Sequence, residues 1–273
     1  KAKPTIVPAD PDRQLVEWVF SVGGSIVIRI GAEVREIQLA KDVPAETFYL
    51  DRAILSGDRP VNDADLERLS RISGTANLPV LAVHSPKVTN AGLVHLRKLS
   101  NLSDLTLATL EAGPDAPTVT DAGLALLEGL PKLEALQLVC PRVTDAGMIH
   151  LANLKRLTRL SLRFAKLTDS GFEQLKSLTR LSQLGLEGTQ VTDASLETLA
   201  KWYPDMTSLH LEGVQVSDAG VSHLKRLPQL AFLTLSTLGI VEVITLDGIP
   251  LASSPLVSDL HHAYYGAALN PAD

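Results

Sequence analysis

Residues 167–190 read LTDSGFEQLKSLTRLSQLGLEGTQ, and residues 191–215 restate them as VTDASLETLAKWYPDMTSLHLEGVQ. The opening phrase is found again outside this pair: VTNAGL at Val88, VTDAGL at Val119, VTDAGM at Val143 and VSDAGV at Val216, with a diverged VNDADL at Val61. From Val119 to Val143, Leu167 and Val191 each step is 24 residues, then 25 to Val216 and 24 to Ile240. A fixed period of this length is the mark of a solenoid, in which no unit can bury its own apolar face and stacked units share one continuous core.

Each unit carries two periodicities. TDAGLALLEGLPKL from Thr120 spaces its apolar residues three and four apart, as on one face of a helix. Thr120 or Asp121 is suited to cap that helix, and the aspartate favours the positive end of its dipole. The second half, Leu133-x-x-Leu136-x-Leu138, alternates like a short strand. The same frame fits Leu78/Leu81/Val83, Leu102/Leu105/Leu107, Leu157/Leu160/Leu162, Leu181/Leu184/Leu186, Met206/Leu209/Leu211 and Leu230/Leu233/Leu235.

These residues resemble the leucine-rich repeat, L-x-x-L-x-L-x-x-N/C-x-L, over roughly residues 61–246. The resemblance implies an α/β solenoid, a horseshoe with parallel strands on the concave face, helices on the convex face and a cap at each end. The V-T-D-A-G-L phrasing is similar to a variety found in bacterial proteins, where such repeats stand alone or are attached to membrane-anchored Ser/Thr protein kinases. The chain departs from the motif at its Asn/Cys position, which holds Pro86, Leu110, Pro141, Ala165, Thr189, Val214 and Leu238. Without an asparagine ladder, the loop amides there must be satisfied by backbone or water. Cys140 falls one place earlier and reads as a small buried residue.

Composition narrows the function classes. A net charge of −6 over 273 residues argues against a nucleic-acid binder, which needs a basic stripe. With one cysteine there is no intrachain disulfide and no multi-cysteine zinc site. No apolar run approaches the ~20 residues of a membrane span. The chain starts at Lys1 with no visible signal peptide, which suggests a processed product or an excised piece. Compartment is open, with the cell envelope or an extracytoplasmic location slightly favoured over the cytoplasm.

The expected division is a linker over 1–10, an N-terminal cap of helix and strands over 11–60 with Trp18 as its plug, repeats over 61–246, and a C-terminal cap or tail over 247–273. Val243, Ile244 and Leu246 suggest a last strand; Leu256, Leu260, Tyr264 and Ala268 suggest a closing helix. The step from Val88 to Val119 is 31 residues, so the excess around Glu111–Thr118 must loop out.

Catalytic and metal signatures are wanting. The sequence has no G-x-S-x-G elbow, no phosphate loop and no kinase motif. His95, His150 and His223 recur at one repeat position in separated units, and His261-His262 lacks helically spaced partners. Asp63 and Asp65 read as helix caps. Neither enzyme activity, nor a cofactor, nor a metal is expected.

What remains is the concave face, set by the residues flanking the strand leucines. Its middle column is Ala82, Thr106, Gln137, Ser161, Gly185, His210 and Thr234. On one side run Val80, Asp104, Ala135, Arg159, Gln183, Ser208 and Phe232; on the other His84, Ala108, Val139, Arg163, Glu187, Glu212 and Ser236. The candidate binding residues are Asp104, Gln137, Arg159, Ser161, Arg163, Glu187, His210 and Glu212, with Arg163 and Glu187 neighbours across adjacent strands. Arginine there suits a charged peptide or protein segment. The expectation is a non-enzymatic protein- or peptide-binding module, the sensing or scaffold part of a larger receptor. Two alternatives stay open: an adaptor bringing substrates to an enzyme complex, and a self-associating structural component of the envelope.

Overall fold

A computed structural model describes residues 11–109, 118–235 and 242–243. The linker, most of the insertion, Ser236, Ile244, Leu246 and the closing-helix segment therefore lie outside the described residues.

The described strands form an eleven-stranded sheet. In chain order they are β1 (Ser25–Ile30), β2 (Glu33–Ile37), β3 (Tyr49–Leu55), β4 (Val80–His84), β5 (Asp104–Ala108), β6 (Ala135–Val139), β7 (Arg159–Arg163), β8 (Gln183–Gly185), β9 (Ser208–His210), β10 (Phe232–Leu235) and β11 (Glu242–Val243). From β3 to β10 every neighbouring pair is parallel. β1 pairs antiparallel with β2 and β3, and β11 antiparallel with β10. Helices return the chain between the parallel strands: α1 (Pro11–Ser21) precedes the sheet, and α2 (Asp63–Leu69), α3 (Asn90–Leu93), α4 (Asp121–Leu127), α5 (Met148–Leu151), α6 (Asp169–Gln174), α7 (Asp193–Trp202) and α8 (Asp218–His223) follow in the repeats. Most are one or two turns long and several run on in 3-10 turns. This is a leucine-rich-repeat solenoid.

The leucine frame accounts for the core. Leu81, Leu105, Leu136, Leu160, Leu184 and Leu209 pair in one row across the sheet, and each is at most 2% exposed. From the helices Leu66, Leu93, Leu124, Met148, Phe172 and Leu196 complete the layer at 0% exposure. At the first end, Leu15, Val16 and Val19 of α1 are the buried side chains, whereas Trp18 is only half-buried. Trp18 packs against the edge of this core, beside the fully buried aliphatic stripe of α1.

The repeated aspartate does something other than cap its own helix. Asp121 Oδ1 accepts from the Thr144 amide at 2.8 Å and its Oδ2 from the Thr144 hydroxyl at 2.7 Å, one unit further on. The same fork runs from Asp63 to Thr89, Asp145 to Thr168, Asp169 to Thr192 and Asp193 to Ser217. Asn90, the one amide in the series, also reaches its Thr120 neighbour. The N-cap positions are held by Asn62, Thr89, Thr120, Thr168, Thr192 and Ser217, and only some of these side chains bond their own helix. Asp63 and Asp65 divide likewise: Asp65 closes a capping box with Asn62, while Asp63 reaches Thr89.

The fork explains the glycine of the phrase. A Cβ on Gly171 would lie 2.1 Å from Asp145 Oδ1, and one on Gly147 2.5 Å from Asp121 Oδ1. Where the phrase reads VTDASL, Ser195 turns the approach into a bond, its hydroxyl donating to Asp169 Oδ1 at 2.5 Å.

The missing asparagine ladder is replaced by backbone. The amides of Ser85, Thr109, Phe164 and Gly188 donate to the carbonyls of Ala108, Val139, Glu187 and Glu212 in the next unit. At the opposite strand ends Thr158, Ser182 and Thr207 hydroxyls donate to the preceding unit's carbonyls. Cys140 is 1% exposed, and burial pushes its thiol up to about 11.

Candidate functional site: the concave face from β5 to β9

Parallel registration places the middle column side by side, Ala82–Thr106–Gln137–Ser161–Gly185–His210–Thr234. Gln137 and Ser161 are half-buried in this column and Thr106 reaches Gln137 at 3.4 Å. The charged candidates separate into two groups at opposite ends of the strands.

At the strand starts, Arg159 of β7 donates to Asp104 of β5 at 2.8 Å. The arginine spans a whole strand because Ala135, between them on β6, has only a methyl group. Burial raises the Asp104 carboxyl above the usual carboxylate range, and Arg159 and Arg52 only partly counter it.

At the strand ends lie Arg163, Glu187, His210 and Glu212. Arg163 Nε is 3.8 Å from Glu187 Oε1, with side-chain exposures of 21% and 13%. Their adjacency across β7 and β8 is the pairing the sequence suggests. Glu187 folds back over Gly185, where an added Cβ would stand 2.7 Å from Oε2; the bare glycine makes room for the carboxylate. Burial, reinforced by the Glu212 charge, pushes the Glu187 carboxyl up to about 7 although Arg163 opposes the shift. His210 spans two hydroxyls, Nε2 to Ser208 at 3.0 Å and Nδ1 to Thr234 at 3.1 Å. Burial lowers its basicity, so the neutral ring is favoured. Glu187 Oε2 and Glu212 Oε2 are buried and accept no hydrogen bond.

An aromatic rim borders this second group. Phe164, 44% exposed, has φ +58°, a left-handed conformation that is strained for a bulky residue. Gly188 and Gly213 occupy the matching positions after β8 and β9 with φ +66° and +71°. The Phe164 ring lies against Gly188, where a Cβ would come within 2.6 Å of it, and Arg163 is 5.6 Å from the ring centroid. The candidate residues did not include Phe164. Its signal in the sequence is a phenylalanine where the next two units have glycine, R-F against E-G and E-G.

Asp104 and Arg159 thus meet in one ion pair; Arg163, Glu187, His210 and Glu212 meet in one cluster; Gln137 and Ser161 lie in the column between. On the helical side His150 pairs with Glu128 at 2.8 Å, while His95 and His223 are half-buried in other units. Among the described residues no helix is long and apolar enough to cross a membrane.

No protein-family model matches this sequence, and no curated protein does. Among solved structures, internalin C2 of Listeria monocytogenes is similar at 25% identity, covering 65% of this chain and 68% of its own, with a TM-score of 0.49.

Proposed function

We propose that the chain is a non-enzymatic binding module whose concave face, between the Asp104–Arg159 pair and the Phe164 rim, receives an extended segment of another protein. The observation that carries this reading is Phe164. An aromatic ring held exposed in a strained backbone conformation, at a position the next two units fill with glycine, adds nothing to the core and is suited to anchor a partner. Support comes from the desolvated charges beside it, which fix register and exclude wrong partners. The Arg159 and Arg163 guanidiniums face carboxylates of the same sheet, so they serve as part of a prearranged charge pattern more than as open carboxylate clamps. The adaptor and envelope-component readings have no comparable observation behind them.

The test is a selection of displayed peptides on the immobilised chain, with each enriched peptide rebound to Phe164→Gly/Arg159→Ala and to a convex-face variant, Ile149→Ser. The reading requires binding lost on the first variant and kept on the second. Peptides that bind all three chains equally, or that lose affinity only for Ile149→Ser, would overturn it.

A further inference from the structure

The sequence frames two strand ends alike: G-L-E-G at Gly185–Gly188 and H-L-E-G at His210–Gly213. Parallel register sets Gly185 as a bare floor beside His210, and the turns that follow β8 and β9 bring Glu187 and Glu212 to the same place. A ligand atom of each of the three residues lies within 4.8 Å of the other two. Two of the carboxylate oxygens, Glu187 Oε2 and Glu212 Oε2, are buried without a hydrogen bond, an arrangement that is costly unless something with positive charge completes it.

We propose that Glu187, His210 and Glu212 form a binding site for a single divalent transition-metal ion, with zinc as the matching chemistry. An imidazole among the donors distinguishes such an ion from calcium or magnesium, which take oxygen ligands. His210 ends β9, and Glu187 and Glu212 lie in the turns just after β8 and β9, all three half-buried, so an ion would draw their ligand atoms closer than the 4.8 Å that now bounds them. One histidine nitrogen exchanges its hydroxyl for the ion, and the other keeps its Ser208 or Thr234 partner, which then holds the ring. Arg163 is the group that competes. Its Nε stands 3.8 Å from Glu187 Oε1, leaving Oε2 to face the ion. This proposal departs from the sequence expectation of no metal, which rests on His95, His150, His223 and His261-His262 and not on donors that stacking brings together from two units.

The site shares its carboxylates with the charged group beside Phe164 but does not rest on the peptide-binding reading, and the ion alone tests it. Chelator-stripped chain would be titrated calorimetrically with zinc chloride, and with cobalt chloride while visible absorption is followed. Binding of one equivalent is expected, with intense cobalt bands of low coordination number. Glu187→Gln, Glu212→Gln and His210→Ala should each weaken zinc at least tenfold, while His150→Ala leaves it unchanged. Circular dichroism confirms that each variant is folded, and Glu212→Gln, a near-isosteric change at a half-buried position, guards against loss of the fold. No saturable binding, or binding equally strong in His210→Ala and lost in His150→Ala, would overturn the proposal.

Discussion

Changing Asp145 and Gly171 together isolates the device that sets the repeat's register. Asp145→Ala removes the acceptor for the Thr168 amide at 2.8 Å and for its hydroxyl at 2.6 Å. Two hydrogen bonds to a charged acceptor, one from a helix-start amide, predict a loss of about 2–4 kcal/mol. Gly171→Ala alone drives a methyl to 2.1 Å from Asp145 Oδ1 and 2.6 Å from its Cγ. Helix propensity favours alanine by ~1 kcal/mol, but the collision outweighs it, for a net loss of about 1–3 kcal/mol. Once Asp145 is alanine, the nearest remaining contact is a methyl of Leu167 at 2.7 Å, the movable end of a side chain. Gly171→Ala then becomes neutral or stabilising, a coupling of about 2 kcal/mol between the sites. The four chains would be compared by urea denaturation, followed in parallel by far-ultraviolet circular dichroism and tryptophan fluorescence. Gly171→Ala with the same cost in both backgrounds would refute the explanation of the glycine. Gly171→Ser supplies a further check: Ser195 bonds Asp169 from the equivalent place, so serine should cost less than alanine.

Three more expectations concern the concave face and the core. Glu187 titrates at about 7 in the folded chain against an ordinary 4.5, so the native state holds the extra proton between these values. Stability of the metal-free chain therefore falls as pH rises from about 4.5 to about 7, by on the order of 3 kcal/mol; in Glu187→Gln that slope should disappear from the pH dependence of the urea midpoint. Phe164→Gly relieves a left-handed strain of roughly 1 kcal/mol, so its denaturation midpoint should equal or exceed that of the parent, while Leu162→Ala, in the core, should lose about 2–5 kcal/mol; a large loss from Phe164→Gly would make the ring structural. Cys140 should resist iodoacetamide at neutral pH and react fully in denaturant, as mass spectrometry of the alkylated chain would show, because burial both covers the thiol and suppresses its thiolate.

The repeat made the concave register legible: once Leu160, Leu184 and Leu209 are core, alternation leaves no choice for Ser161, Gly185 and His210. The Arg163–Glu187 pairing followed from the same step. Arg159 bonding Asp104 did not, since it crosses a strand and depends on the smallness of Ala135. The sequence reads the aspartates as caps because local propensity is the same whether a carboxylate turns to its own helix or to the next unit; only stacking decides between them. Size alone singles out the tryptophan of α1 in the sequence, yet the helix carries Leu15 and Val19 inward and leaves Trp18 at the margin of the core. Motif spacing does not show the Glu187–His210–Glu212 group because its donors come from the ends of two neighbouring units, 25 residues apart from Glu187 to Glu212.

The claim that recognition occurs on the concave face is tested most directly by photocrosslinking. A benzophenone amino acid would be placed at position 183, exposed beside Arg159 on the sheet face, and separately at position 149 on the helical face. With a selected peptide bound and both proteins irradiated, the account predicts a crosslinked product from position 183 and none from position 149. A product from position 149 alone would place the partner on the helices and contradict it.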